Sequence, residues 1–172
     1  DYKVSLISGV HELLVNRTGG AKMQNNLEYL GDIKYTPEEQ AFARGIQKST
    51  MKPEIGIKSV ITPLEDTKEN PGGGSTDVGD VSYVVPTISL SVTTAPKDTP
   101  WHSWTVVACS GMSIGHKGMH YASKALAMTM VDLFEDAKLR EEVKAEFKER
   151  KGDYVYKGIV PDGPPPLNGL KK

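Results

Sequence analysis

Two kinds of apolar spacing alternate along this chain, and their alternation is the strongest constraint on its fold. Tyr2, Val4 and Leu6 recur every second residue with Lys3 and Ser5 between them, and Gly9 ends the regular part. That period predicts a strand running on through residues 10–15. Ile55 and Ile57, with Val60 and Ile61, predict a second strand. Ile88, Leu90 and Val92, alternating with Thr87, Ser89 and Ser91 behind Pro86, predict a third, and the apolar run 105–108 another short one. Between these runs the spacing turns helical. Met23, Leu27 and Leu30 precede Gly31, a short helix with a glycine just past its end. Thr36-Pro37-Glu38-Glu39 puts a hydroxyl at the N-cap, a proline at the first helical position and a carboxylate three residues on, so a helix should run to about Ser49 with Phe42 and Ile46 inward. Ser113 is placed to cap the longest apolar helix, whose Ile114, Ala122, Leu126, Met130 and Leu133 should pack on a sheet. Asp136 starts a charged helix with a narrow stripe of Leu139, Val143 and Phe147. Glu146 and Arg150 lie on what reads as its solvated face, and Gly152 closes it. Strands interleaved with helices predict an α/β fold, a sheet covered by helices.

At 172 residues the chain is long enough to bury a core without disulfide or metal staples. Its 21 basic and 22 acidic side chains leave a net charge of -1, which removes bulk attraction to nucleic acid or anionic membrane. No run of about 18 apolar residues and no signal-peptide pattern is present, so a soluble, cytoplasmic protein is expected. Cys109, the single cysteine, follows an apolar run and reads as a small buried hydrophobe. The polar stretch 63–75 reads as a surface loop, and the proline-rich tail 154–172 as an extended segment.

Chemistry is sought first at the four histidines, since imidazole is both a common metal ligand and an acid or base near neutrality. His102 lies in TPWHSW, between two strand patterns and flanked by two tryptophans that would wall off water. Loops at strand ends are where α/β folds place their sites. It reads as a ligand or catalytic group, or as a satisfied loop histidine. His116 sits in the first turn of the long helix, where the positive end of the helix dipole favours a neutral ring. His11 and His120 carry no motif and read as structural or solvent-facing. In PGGGSTDVGD, consecutive glycines would let a ligand approach backbone amides; a flexible linker is the other reading, and no Walker lysine follows. Asp77 and Asp80 read on their own as caps or turn formers.

GGGSTDVGDVSYVVPT, TPWHSW and SGMSIGHKGM, in this order and spacing, resemble the C-terminal part of the aminobenzoyl-glutamate hydrolase branch of the dizinc amidohydrolases, the metallopeptidase family of carboxypeptidase G and the aminoacylases. The resemblance implies a catalytic domain holding two zinc ions, or other divalent metals, and an inserted lid domain that mediates homodimerisation. Residues 1–16 would then be the last lid strand, 17–152 the returning part of the catalytic domain and 153–172 the tail. It implies that His102 ligates one zinc and that Gly73, Gly74, Ser75 and Asp77 border the substrate. Asn16 at the lid exit would touch substrate, and His116 would belong to the same binding region. The substrate would be a small amide or peptide cleaved next to a free carboxylate, of the aminobenzoyl-glutamate or N-acyl amino acid type. The family's other metal ligands and its general base would precede Asp1, so the chain is expected to be a hydrolase fragment, inactive alone. A severed lid strand would either exchange with a second copy or lose order before about Asn16. The alternative reading is a non-catalytic oligomerisation or binding module that keeps the fold.

Overall fold

The structure, a computed structural model, describes residues 1, 2, 4, 6, 8–64, 76–160 and 162–164. Among these there are six helices, α1 (Arg17–Leu30), α2 (Pro37–Ser49), α3 (Val78–Ser82), α4 (Trp104–Ser110), α5 (Ser113–Glu135) and α6 (Ala137–Lys151), and no strand. The expected α/β fold with a sheet is therefore overturned. A strand exists only as one half of a ladder, and period-two spacing specifies which side chains share a face without supplying a partner. The spacing itself survives: Ile88, Leu90 and Val92 are half-buried while Ser89 and Ser91 face water. What is missing is the second backbone.

Side-chain amides take the ladder's place at one point. Gln40 and Gln47 stand seven residues apart on one face of α2. The Gly56 N–H donates to Gln47 Oε1 at 2.8 Å and the Ile57 N–H to Gln40 Oε1 at 2.9 Å. The two amide nitrogens return bonds to the carbonyls of Gly56 (3.2 Å) and Ile57 (2.8 Å). Each glutamine thus imitates a neighbouring strand's peptide group, and the buried backbone is satisfied without a sheet. Ile57 then seals a core with Ala43 and Ile46 of α2, Cys109 of α4 and Ile114 of α5. The run 105–108, expected as a strand, is α4, with Thr105 and Cys109 buried four residues apart.

The capping signals at α2 and α6 are met. Thr36 Oγ1 accepts from the Glu39 N–H at 3.3 Å while the Glu39 carboxylate accepts from the Thr36 N–H at 2.7 Å, and α2 spans the expected residues. Asp136 accepts from the Leu139 N–H to open α6, and Gly152, at φ 54°, closes it. α5 begins at Ser113 with Met112 at its N-cap, so the serine is not the cap.

α5 packs against α1, α4 and α6. Its contact with α1 is polar as well as apolar. Asn26 donates to Thr129 Oγ1 (2.9 Å) and Asp132 Oδ2 (2.8 Å), and Lys22 pairs with Asp132 at 3.0 Å. α1 starts in the interior. Its first amides go to Asn16 Oδ1 and, from Arg17 (2.8 Å) and Thr18 (2.7 Å), to the Glu146 carboxylate of α6, which also accepts from Arg150 Nε. Glu146, only 15% exposed, is a tertiary helix cap rather than part of a solvated face. Leu126 and Met130 of α5, expected inward, are exposed. No helix among the described residues is long and apolar enough to cross a membrane.

Burial works against ionisation at Glu39, Asp132 and Glu146, but their hydrogen bonds and nearby cations outweigh it and hold all three carboxyls below their ordinary values. Their contribution to stability is therefore complete above the ordinary carboxylate range and is lost as pH falls through it. Urea midpoints should be nearly flat from pH 7 to about 5 and drop below about 4. Glu146→Gln should shallow that drop and cost about 1–2 kcal/mol at neutral pH, since the amide oxygen keeps one of the two helix-start bonds.

Candidate functional site

His102 sits at the tip of the connection into α4. The loop is pinned on both sides of it. Thr99 Oγ1 donates to the Pro96 carbonyl at 2.6 Å, Ser103 Oγ donates to the Pro100 carbonyl at 2.5 Å, and the Ser103 and Thr105 hydroxyls stand 2.6 Å apart. Between these pins His102 takes φ 60°, as Asp98 takes 63°. For a residue with a Cβ this left-handed conformation costs roughly 1–2 kcal/mol. The imidazole is exposed, and so are its neighbours: Trp101 is 69% and Trp104 63% exposed. The expected wall of indoles is absent, because the turn at 101–102 and the start of α4 leave both rings in water instead of over the histidine.

The SGMSIGHKGM segment has a structural logic of its own. Gly115 and Gly118 lie on one face of α5. A Cβ at Gly115 would stand 2.5 Å from the Cys109 carbonyl oxygen, and one at Gly118 2.6 Å from Thr94 Cγ2 and 2.7 Å from the Thr93 carbonyl oxygen. The two glycines let α5 lie directly on the end of α4 and on segment 93–94. Lys117 reaches back to Glu39 at 2.6 Å and to the Lys34 carbonyl at 2.8 Å, and its ammonium stands 5.8 Å from the Tyr35 ring centroid. Burial, with the Glu39 charge beside it, pushes the Tyr35 phenol up to about 12. His116 remains exposed in the first turn of α5.

The other sequence-derived candidates are scattered. Gly73, Gly74 and Ser75 lie outside the described residues. Asp77 is exposed at the N-cap of α3, and its side chain makes no capping bond. Asn16 is buried: its Oδ1 caps α1 and its Nδ2 donates to the Val143 carbonyl at 2.9 Å. Cys109 is buried with its thiol pushed up by that burial. Among the described residues no group of three or more His, Cys, Asp or Glu side chains stands together as a metal site would require. A cleft of about 240 Å³ opens between α1, segments 59–64 and 89–93, and Tyr121; none of the candidates lines it.

His11, which reads in the sequence as structural or solvent-facing, is the histidine bonded at both ring nitrogens. His11 bonds to Asp80 and Tyr154 and lies among three tyrosine rings. Its partners are 69 and 143 residues away, so no local spacing announces them.

Two substitutions separate strain from packing. His102→Gly should leave stability unchanged or raise it by up to about 1 kcal/mol, because glycine adopts the same φ freely while no buried contact is lost; thermal unfolding measures this. Gly118→Ala should lower it by about 1–3 kcal/mol. The roughly 1 kcal/mol that alanine gains in an open helix is smaller than the cost of moving the Thr93 backbone.

No family model matches the chain, and no solved structure matches it. It is 30% identical over 181 residues to a p-aminobenzoyl-glutamate hydrolase subunit of Escherichia coli (strain K12), a match that takes in 90% of this chain and 37% of that protein. The chain thus spans little more than a third of the length of this curated relative. The resemblance carried by the glycine loop, TPWHSW and SGMSIGHKGM is borne out, and the chain is related to an aminobenzoyl-glutamate hydrolase-type amidohydrolase over nine tenths of its own length.

Proposed function

We propose that this chain is a portion of a metal-dependent amidohydrolase that cleaves an amide next to a free carboxylate, on an aminobenzoyl-glutamate or N-acyl amino acid. The observation that carries the reading is the similarity to a hydrolase of that name along nearly the whole chain. Zinc is the metal of the resembling family. The described residues do not form a zinc centre by themselves: His102 offers one exposed imidazole, and no group of three ligands stands together. One ligand neither holds an ion nor places a general base, so the chain alone is proposed to be inactive, and no catalytic step is assigned to it.

What the chain contributes follows from its own residues. His102, held out from a pinned loop, is available to donate a ring nitrogen to a metal held mainly elsewhere. The strained φ is the local signature that motivates this role, since such strain concentrates at functional positions. Gly73, Gly74, Ser75 and Asp77 would face the substrate, with His116 in the same binding region. Asn16 keeps its expected substrate role only as a proposal, and its two bonds in the structure leave its amide occupied by α1 and α6.

The second reading, a non-catalytic binding or dimerising module, is favoured by one observation. Met119, Met130, Val131 and Phe134 of α5 are exposed, the last by 78%. Apolar helix surface in water invites a covering partner.

A chimera decides between them. The chain replaces the matched portion of the E. coli relative, and p-aminobenzoyl-glutamate hydrolysis is assayed. Expected are activity in the chimera, its loss on chelation, and a fall with His102→Ala exceeding the roughly 10–100-fold that even outer-shell partners of a metal control. Activity indifferent to both chelator and His102→Ala would remove the metal role, and a folded but inert chimera would favour the module.

A further inference from the structure

We propose that His11 is a positioning residue for α3 and for Asp77 at its N-cap: by bridging Asp80 and Tyr154 it clamps the segment before α1 and the segment after α6 onto α3, and so fixes where Asp77 stands. This rests on the reading that Asp77 faces substrate.

The clamp is built from both ring nitrogens. His11 Nδ1 stands 2.8 Å from Asp80 Oδ1, and Nε2 stands 2.7 Å from the Tyr154 hydroxyl. An ionised carboxylate only accepts, so Nδ1 carries the proton and donates to Asp80; in the neutral ring Nε2 then accepts from the Tyr154 O–H. Tyr156 donates a further bond to Asp80 Oδ1 at 3.1 Å. The bond from His11, helped by that from Tyr156, holds the Asp80 carboxyl below its ordinary value. The imidazole is surrounded by aromatic rings, with centroids of Tyr83, Tyr156 and Tyr154 at 5.2, 5.3 and 5.8 Å. The His11 side chain is 12% exposed, so these bonds act in a partly dry setting.

The backbone is gripped as well. A Cβ on Gly79 would collide with the His11 carbonyl, so only glycine lets segment 11–12 lie on α3. The Leu14 N–H donates to Ser82 Oγ at 2.8 Å, and Ser82 Oγ donates to the Gly79 carbonyl at 2.5 Å. Gly79, Asp80, Ser82 and Tyr83 therefore form a four-residue receptor inside the GDVSY stretch, two residues past Asp77. α3 has five residues and no side-chain cap of its own. A helix of barely more than one turn has little intrinsic stability, and its position is set by what holds it.

The test is hydrogen exchange on the full 172-residue chain, read at the Gly79, Asp80, Tyr83 and Val84 amides and at the α2 and α6 amides as reference. His11→Ala should speed exchange at the α3 amides about tenfold, the scale that one charge-assisted hydrogen bond controls, while the reference amides stay within about twofold. His11→Asn keeps a donor where Nδ1 stood and should restore most of the protection. If His11→Ala does not fold, Asp80→Asn serves in its place, with a smaller rise at the same amides. Unmoved α3 amides, a uniform rise across all helices, or His11→Asn behaving like His11→Ala would each overturn the clamp. The readout involves neither metal nor hydrolysis. Failure here leaves the amidohydrolase reading standing, and an inert chimera leaves the clamp standing.

Discussion

The start of α1 lies inside the protein, and the amides it cannot pair within itself are taken by Asn16 and by the Glu146 carboxylate of α6. That exchange joins segments 129 residues apart in the chain. It orients α1 on α6, and α5 packs against both. The same requirement recurs wherever backbone is buried outside a helix: Gln40 and Gln47 serve Gly56 and Ile57, and Ser82 serves Leu14. Unpaired buried amides cost more than most contacts return, so these few polar side chains decide the architecture more than the modest apolar core does. Among the described residues no buried side-chain nitrogen or oxygen lacks a partner.

Features written within one turn of helix are legible in the sequence, and features that need a distant partner are not. The Thr36–Glu39 box and the Asp136 cap are local, and the structure holds both. The strands fail because their alternation is also local while a ladder is not. Thr105, Val106 and Val107 look strand-like by β-branching, yet burial at Thr105 and Cys109 selects the helical period. Glu146 has the spacing of half of an ordinary i,i+4 pair, and its larger role is at the amides of Arg17 and Thr18. At the candidate site, the place of His102 in a loop is legible, but its positive φ and the exposed indoles are not. The roles of Gly115 and Gly118 become visible only once their neighbours on α4 and segment 93–94 are known.

Two histidines divide the functional argument between them. His102 is exposed and strained, and among the described residues it stands outside any cluster of three ligands, which suits its proposed role of completing a centre assembled with other residues. His11 is enclosed and bonded at both ring nitrogens, which suits a group that holds structure. Sequence motifs favour the first because a flanking pattern marks it. Hydrogen-bond geometry favours the second because a ring with both nitrogens engaged is fixed in tautomer and in orientation. The two stand in different parts of the chain, His102 in the loop that leads into α4 and His11 against α3, and a binding site in general needs both kinds of residue, groups that meet the ligand and groups that hold those in place.

α5 carries the remaining tension. Its Ile114, Ala125 and Thr129 are buried, and Gly115 and Gly118 bring its first turns into backbone contact, so one face is committed inward. Elsewhere on its surface Met119, Met130, Val131 and Phe134 stand in water. Apolar helix surface beyond the packed face invites a cover. Under the reading proposed above, the exposed imidazole and the exposed apolar helix surface have one origin: each would be completed by a second surface, which would bring co-ligands to His102 and a cover to α5.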